Sequence, residues 1–214
     1  MLIGTTKSFI FVANTKTAST SVERALKPHA DIHYAGTSER KHVPLKELTK
    51  LYPEVTGGPF GAAERERFFT FGVMRDPIDW IGSWYRYRKG NPEVHNPLPD
   101  GMTFEQFWAR RDWNVVCANG ENYLQRRLFC CPKGAVLADV IIPYERLDEM
   151  FGEICEGLGV KSPLPRRNVS RLTEFKIPEA MIEPLQKHYA LDFELRSRLD
   201  EINEKGMAKL RARG

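Results

Sequence analysis

Cysteine is scarce in this chain, and no two of its four cysteines stand in the C-x-x-C spacing of a zinc or dithiol redox motif. Cys130 and Cys131 are adjacent, while Cys117 and Cys155 are isolated, so buried reduced thiols are expected. Long apolar runs are missing too. None reaches the roughly 18 residues of a membrane-spanning helix. The opening MLIGTTKSFIF has an apolar stretch but no small-residue cleavage pattern, so no signal peptide is expected. Charge of one sign is barely in excess: 32 Lys and Arg against 28 Asp and Glu give +4. That balance favours an anionic ligand but is too small to indicate nucleic acid. Arginine pairs such as Arg110-Arg111 and Arg126-Arg127 read as solvated surface. Internal repeats, low-complexity runs and linkers are absent, so one domain over residues 1–214 is expected, soluble and cytoplasmic.

What is present is ordinary globular material, 42% hydrophobic and 28% charged, long enough for a substantial core. Short apolar runs at 8–13 (SFIFVA) and 67–74 (RFFTFGVM) read as buried strands. A third strand, followed by a helix to Gly157, lies in AVLADVIIPYERL at 135–147. A short strand is predicted at 31–35. Helices are predicted at 19–27, with Ser19 or Thr20 as N-cap and Pro28 as terminator, and at 44–51, 78–88, 103–111 and 118–129. Gly57, Gly58, Pro59 and Gly61 mark a loop, as do the prolines of 91–101. Residues 161–173 read as extended and basic, and the chain from Pro178 onward as helix. Strands alternating with helices predict an α/β fold with a mainly parallel sheet flanked by helices.

The stretch NTKTASTSVERAL, 14–26, places Lys16 and the hydroxyls of Thr17, Ser19, Thr20 and Ser21 between a strand and a helix. A helix start offers free N–H groups and the positive end of a dipole, which suits a phosphate-like anion. A Walker A loop is excluded, because no glycine lies between Gly4 and Gly36. The plain alternative is a polar N-cap. The second strand runs into FGVMRDPIDWIGSWYRYR. There Arg75 stands at a C-terminal strand end, where open α/β sheets bind ligands, and Ser83 follows in the next helix. The alternative for Arg75 is a surface pairing with Asp76 or Asp79.

Two phosphate-type motifs on neighbouring strands make the sequence resemble the sulfotransferases that use 3′-phosphoadenosine 5′-phosphosulfate (PAPS). TKTASTS resembles the family's 5′-phosphosulfate loop, and FGVMRDPIDWIGSWY its 3′-phosphate motif. The KTAST loop resembles the carbohydrate O-sulfotransferase branch and its bacterial relatives. ERKHVPLKEL, IIPYERLDEMFGEICEGLGV and RRNVSR extend the resemblance over about residues 9 to 195. It implies a P-loop-kinase-like sulfotransferase fold and in-line transfer of a sulfuryl group from PAPS to an acceptor hydroxyl. PAP is then the product, and no metal is required. Lys16 matches the catalytic lysine, and Thr17, Ala18, Ser19, Thr20 and Ser21 the 5′ loop. Arg75 and Ser83 match the 3′-phosphate pair.

His42 matches the histidine that serves as general base, with Glu47 and His33 in reserve. Gln125 and Asn168 match positions near ligand, and Arg166, Arg167 and Arg171 would clasp the cofactor from a late loop. For the acceptor, a carbohydrate or other small molecule, Trp84 offers an aromatic face and Arg88 a charge. Phe104, Phe107 and Trp108 have helical spacing and fit a core equally well. Two rival readings remain open. One is a phosphotransferase with a degenerate phosphate loop and Asp139 as magnesium ligand. The other is a non-catalytic polyanion-binding module.

Overall fold

The computed structural model describes residues 1–51, 67–89, 91–112, 115–116, 120–165 and 175–213. Short strands, most of them wholly buried, build its sheet. β2 (Phe9–Val12) and β4 (Phe69–Met74) pair in parallel from Phe9–Phe69 to Val12–Gly72. β7 (Val140–Pro143) continues the sheet on the far side of β4, with Phe71 opposite Val140. β1 (Leu2–Gly4) folds back antiparallel on β2 and carries β3 (Ile32–His33) at the edge. The order is β3-β1-β2-β4-β7, and only β1 opposes the other four strands.

Both faces of this sheet are covered, which is why its strands read as continuous apolar runs. Phe9, Phe11, Phe71, Val73 and Ile142 point to one side, against Leu26, Phe151 and Met207. Ile10, Val12, Met74 and Ile141 point to the other, against Phe129, Leu195 and Leu199. The helices between strands are α1 (Ser19–Leu26), α2 (Ser38–Lys41), α3 (Leu45–Leu51), α4 (Pro77–Lys89) and α5 (Phe104–Arg110). A third core centres on Trp80, Ile81 and Tyr85 of α4 and on Phe104 and Phe107 of α5. Those rings are therefore packing and not acceptor surface.

Three boundaries differ from expectation. Pro28 does not stop the chain turning, because Lys27–His29 continues as a 3₁₀ turn with the proline at its start, where no N–H is needed. The helix expected over 118–129 is instead a two-residue strand, β6 (Asn122–Tyr123), paired with β5 (Val115–Val116), and one helical turn, α6 (Arg126–Phe129). A tertiary contact from Asp192, described below, bends the chain there. α7 (Leu147–Gly157) follows β7, and the C-terminal part breaks into α8 (Glu179–His188), α9 (Ala190–Ser197) and α10 (Leu199–Arg211). The glycine loop expected at 57–61 lies outside the described residues.

Candidate active site

The C-terminal ends of β2 and β4 open onto one edge of the sheet, and the candidate residues gather there. The turn after β2 is tight. Lys16 and Ala18 both adopt left-handed backbone, with φ 60° and 57°, which non-glycine residues seldom hold. Ala18, not Ser19 or Thr20, is the N-cap of α1, and no side chain among the described residues caps it. A left-handed cap residue turns its carbonyl inward, where it accepts the N–H groups of Ser21 at 2.9 Å and Val22 at 3.2 Å. The hydroxyls divide their work. Thr17 is fully buried and donates to the Asn14 carbonyl at 3.1 Å, so it holds the turn closed. Ser19 and Ser21 are buried, and Thr20 is exposed and accepts from Lys41 Nζ at 3.3 Å. α4 pins the turn from above, since the Trp80 indole donates to the Thr15 carbonyl at 2.9 Å.

Lys16 carries its ammonium 3.7 Å from the ring centre of Tyr87 and 5.8 Å from that of Trp84. Burial, with the positive charges of Arg75 and Arg86 nearby, brings its pKa down to about 8. Burial and Arg75 also lower the pKa of Arg86. Like charges held together in a half-buried site repel one another until an anion enters. Arg75 stacks on Tyr144, 4.7 Å from the ring centre, and its Nε is buried with no hydrogen-bond partner among the described residues. Among the described residues, no ion pair joins Arg75 to Asp76. Its carboxylate instead caps α4, accepting from Ile78 N at 2.9 Å and Asp79 N at 3.1 Å. Ser83 is buried on α4, three residues before Arg86. These donors fit a ligand with more than one anionic group.

His42 stands between α2 and α3, half-buried, with Nδ1 2.8 Å from the carbonyl of Ala13 at the end of β2. A carbonyl only accepts, so Nδ1 carries the proton and Nε2 is the acceptor nitrogen of the neutral ring. Burial lowers its pKa. The preceding Lys41 fixes this stretch on α1 by an ion pair with Glu23 at 2.8 Å. The reserves are placed differently. His33 is exposed in edge strand β3, and Glu47 pairs with Lys50 at 3.2 Å on α3.

Two expected acceptor contacts are engaged elsewhere. Arg88 is buried, donating to Asp112 Oδ1 and to the Asn96 carbonyl, each at 2.7 Å, so its charge is already neutralised. Gln125 is fully buried with its amide bonded to Asn14 and Arg75. Trp84 is half-buried and edge-on to Trp80 and Tyr87. Asn168 and the arginines at 166, 167 and 171 lie outside the described residues. Asp139 precedes β7, at the opposite end of the sheet from Lys16. It accepts from Thr70 N at 2.7 Å and pairs with Lys209 at 2.6 Å, which removes the support for a metal-binding role beside the turn. Sequence reasoning gave no role to Asn14, Tyr144 or Asp192, because nothing local marks a side chain whose partners are distant.

The sulfotransferase family model matches residues 1–206. The chain belongs to the sulfotransferase family. No curated protein and no solved structure matches it. Membership makes the chain a transferase of sulfuryl groups, and the five-stranded α/β sheet agrees with the sulfotransferase fold. Among the described residues of this sulfotransferase, no helix is long and apolar enough to cross a membrane.

Proposed function

We propose that the protein transfers the sulfuryl group of PAPS to a hydroxyl of a carbohydrate or other small acceptor. The observation that carries this reading is the gathering of Lys16 after β2, Arg75 after β4 and Arg86 on α4, with Arg75 Nε buried and without a hydrogen-bond partner among the described residues. PAPS, when bound, supplies the sulfuryl group and a stabilised leaving group.

The residues of this chain divide the remaining work. The start of α1 holds the 5′ end through the backbone N–H groups of Thr17, Ala18, Ser19 and Thr20 and the hydroxyl of Ser21, whose own N–H is bonded to Ala18. Arg75 and Ser83 hold the 3′-phosphate, which separates PAPS from ATP. Lys16 meets the negative charge that develops during transfer. His42 accepts the acceptor's proton at Nε2, while its Nδ1–H keeps the ring aimed by bonding Ala13. Trp84 and Tyr87 offer ring faces beside Lys16 for the acceptor. Arg171 and Asn168 keep proposed places at the cofactor and the acceptor. A cytoplasmic setting belongs to the same proposal and is supported by the free thiols of Cys130, Cys131 and Cys155.

The test is calorimetry with PAP. Arg75→Ala is expected to lose a charge-assisted contact of about 1.5–3 kcal/mol. Unchanged PAP affinity in that variant would remove Arg75 from the site. Thermal shift separates the rivals: stabilisation by PAP is expected, and stabilisation by ATP with Mg²⁺ or by heparin alone would favour them instead.

A further inference from the structure

Past the last parallel pair, Val12 with Gly72, β2 and β4 run on into the two stretches that hold the proposed anion sites. A buried polar joint spans them. Gln125 Oε1 accepts from Asn14 Nδ2 at 2.9 Å and from the Arg75 backbone N–H at 3.0 Å. Gln125 Nε2 donates to the Arg75 carbonyl at 2.8 Å, and Asn14 Nδ2 also donates to the Val73 carbonyl at 3.0 Å. Gln125 thus clips the Arg75 backbone from both sides, as a paired strand would, and ties it to Asn14, where the lysine turn begins.

Gln125 is itself held from α9. Asp192 is fully buried, and its Oδ1 accepts the N–H groups of Gln125 at 2.7 Å and Arg126 at 3.0 Å. Its Oδ2 accepts the N–H of Leu124 at 2.7 Å. Three donors on one buried carboxylate fix the Gln125 backbone far more tightly than a surface bend would.

We propose that Asp192, acting through Gln125, sets the distance between the Lys16 turn and Arg75, and so tunes the site to a ligand with two phosphates on one ribose. Asp192 and Gln125 are positioning residues in this scheme. The inference rests on the PAPS reading above. A two-point ligand gains over a one-point ligand only when both points are reached at once, and a misplacement of about 1 Å can cost about 100-fold.

The experiment compares adenosine 3′,5′-bisphosphate with 5′-AMP and 3′-AMP by calorimetry. The proteins are wild type, Gln125→Met and Asp192→Asn. Wild type is expected to bind the bisphosphate far more tightly than either monophosphate. In both variants monophosphate affinities should stay within about threefold while the bisphosphate advantage falls about tenfold or more. Leu210→Ala, a destabilising change in α10 away from the joint, should lower Tm and leave the ratio intact. A merely structural role for Asp192 predicts that same pattern, lower Tm with an unchanged ratio, and would overturn the proposal. Asp192→Asn keeps the side chain's size but loses the charge and sets an NH2 donor where one oxygen accepted a backbone N–H, and it decides the matter even if Gln125→Met fails to fold. A wild type that binds the bisphosphate no better than a monophosphate would instead defeat the PAPS reading beneath it.

Discussion

Lys16 concentrates the site's electrostatics in one side chain. In the free protein its ammonium rests on Tyr87, among other cations, with its pKa near 8. Entry of an anion favours the charged form and draws the pKa back up. PAP binding should therefore take up a proton at pH 8–9, and affinity should fall as pH rises through about 8. Calorimetry in buffers of different ionisation enthalpy reads the proton directly, and Lys16→Met should abolish it. If wild type shows no proton uptake, Lys16 does not face the bound anion. His42 carries the second prediction at this scale. Burial lowers its pKa, so the neutral base is present throughout the neutral range and is lost only as pH falls below the usual histidine value of about 6.5. Turnover should rise through a single ionisation below that value, and His42→Ala should remove the step along with roughly 10²–10⁴ in rate. PAP affinity should stay unchanged. A variant that keeps both rate and pH step would show that another group is the base.

The elements are placed by a few close approaches. α10 crosses β7 at Gly206, where an added Cβ would lie 1.9 Å from the Asp139 carbonyl oxygen. Helix propensity alone would make Gly206→Ala stabilising by about 1 kcal/mol. The backbone on the other side cannot yield, so the clash should win and cost about 1–3 kcal/mol. A urea midpoint that falls with unchanged slope is the expected result, and a rise would mean that α10 is not seated as described. The same scale explains how the turn after β2 works. Trp80 from α4, Thr17 within the turn and Lys41 from α2 each tie one part of it, so a strained lysine and alanine are held without glycine.

For the whole molecule, what the sequence determined alone was local and periodic. FIFV is wholly apolar and FTFGVM is apolar apart from Thr70, so both declared buried strands, and that pattern survives only where both faces are covered. The cluster of Lys16 with four hydroxyls, and Arg75 at a strand end, marked the anion edge because strand-then-helix junctions leave N–H groups free whatever the fold around them. The family's residue pattern was legible for the same reason, being carried by short contiguous motifs. What only the tertiary structure decided was everything made at a distance. Thr17 closes its own turn, Arg88 is spent on Asp112, and the expected helix over 118–129 gives way to a bend because Asp192, some 67 residues on in sequence, takes its N–H groups. A buried carboxylate looks like any surface aspartate in the sequence. Its partners are backbone groups with no side-chain identity, so only the folded chain reveals that Asp192, Gln125, Asn14 and Arg75 form one joint.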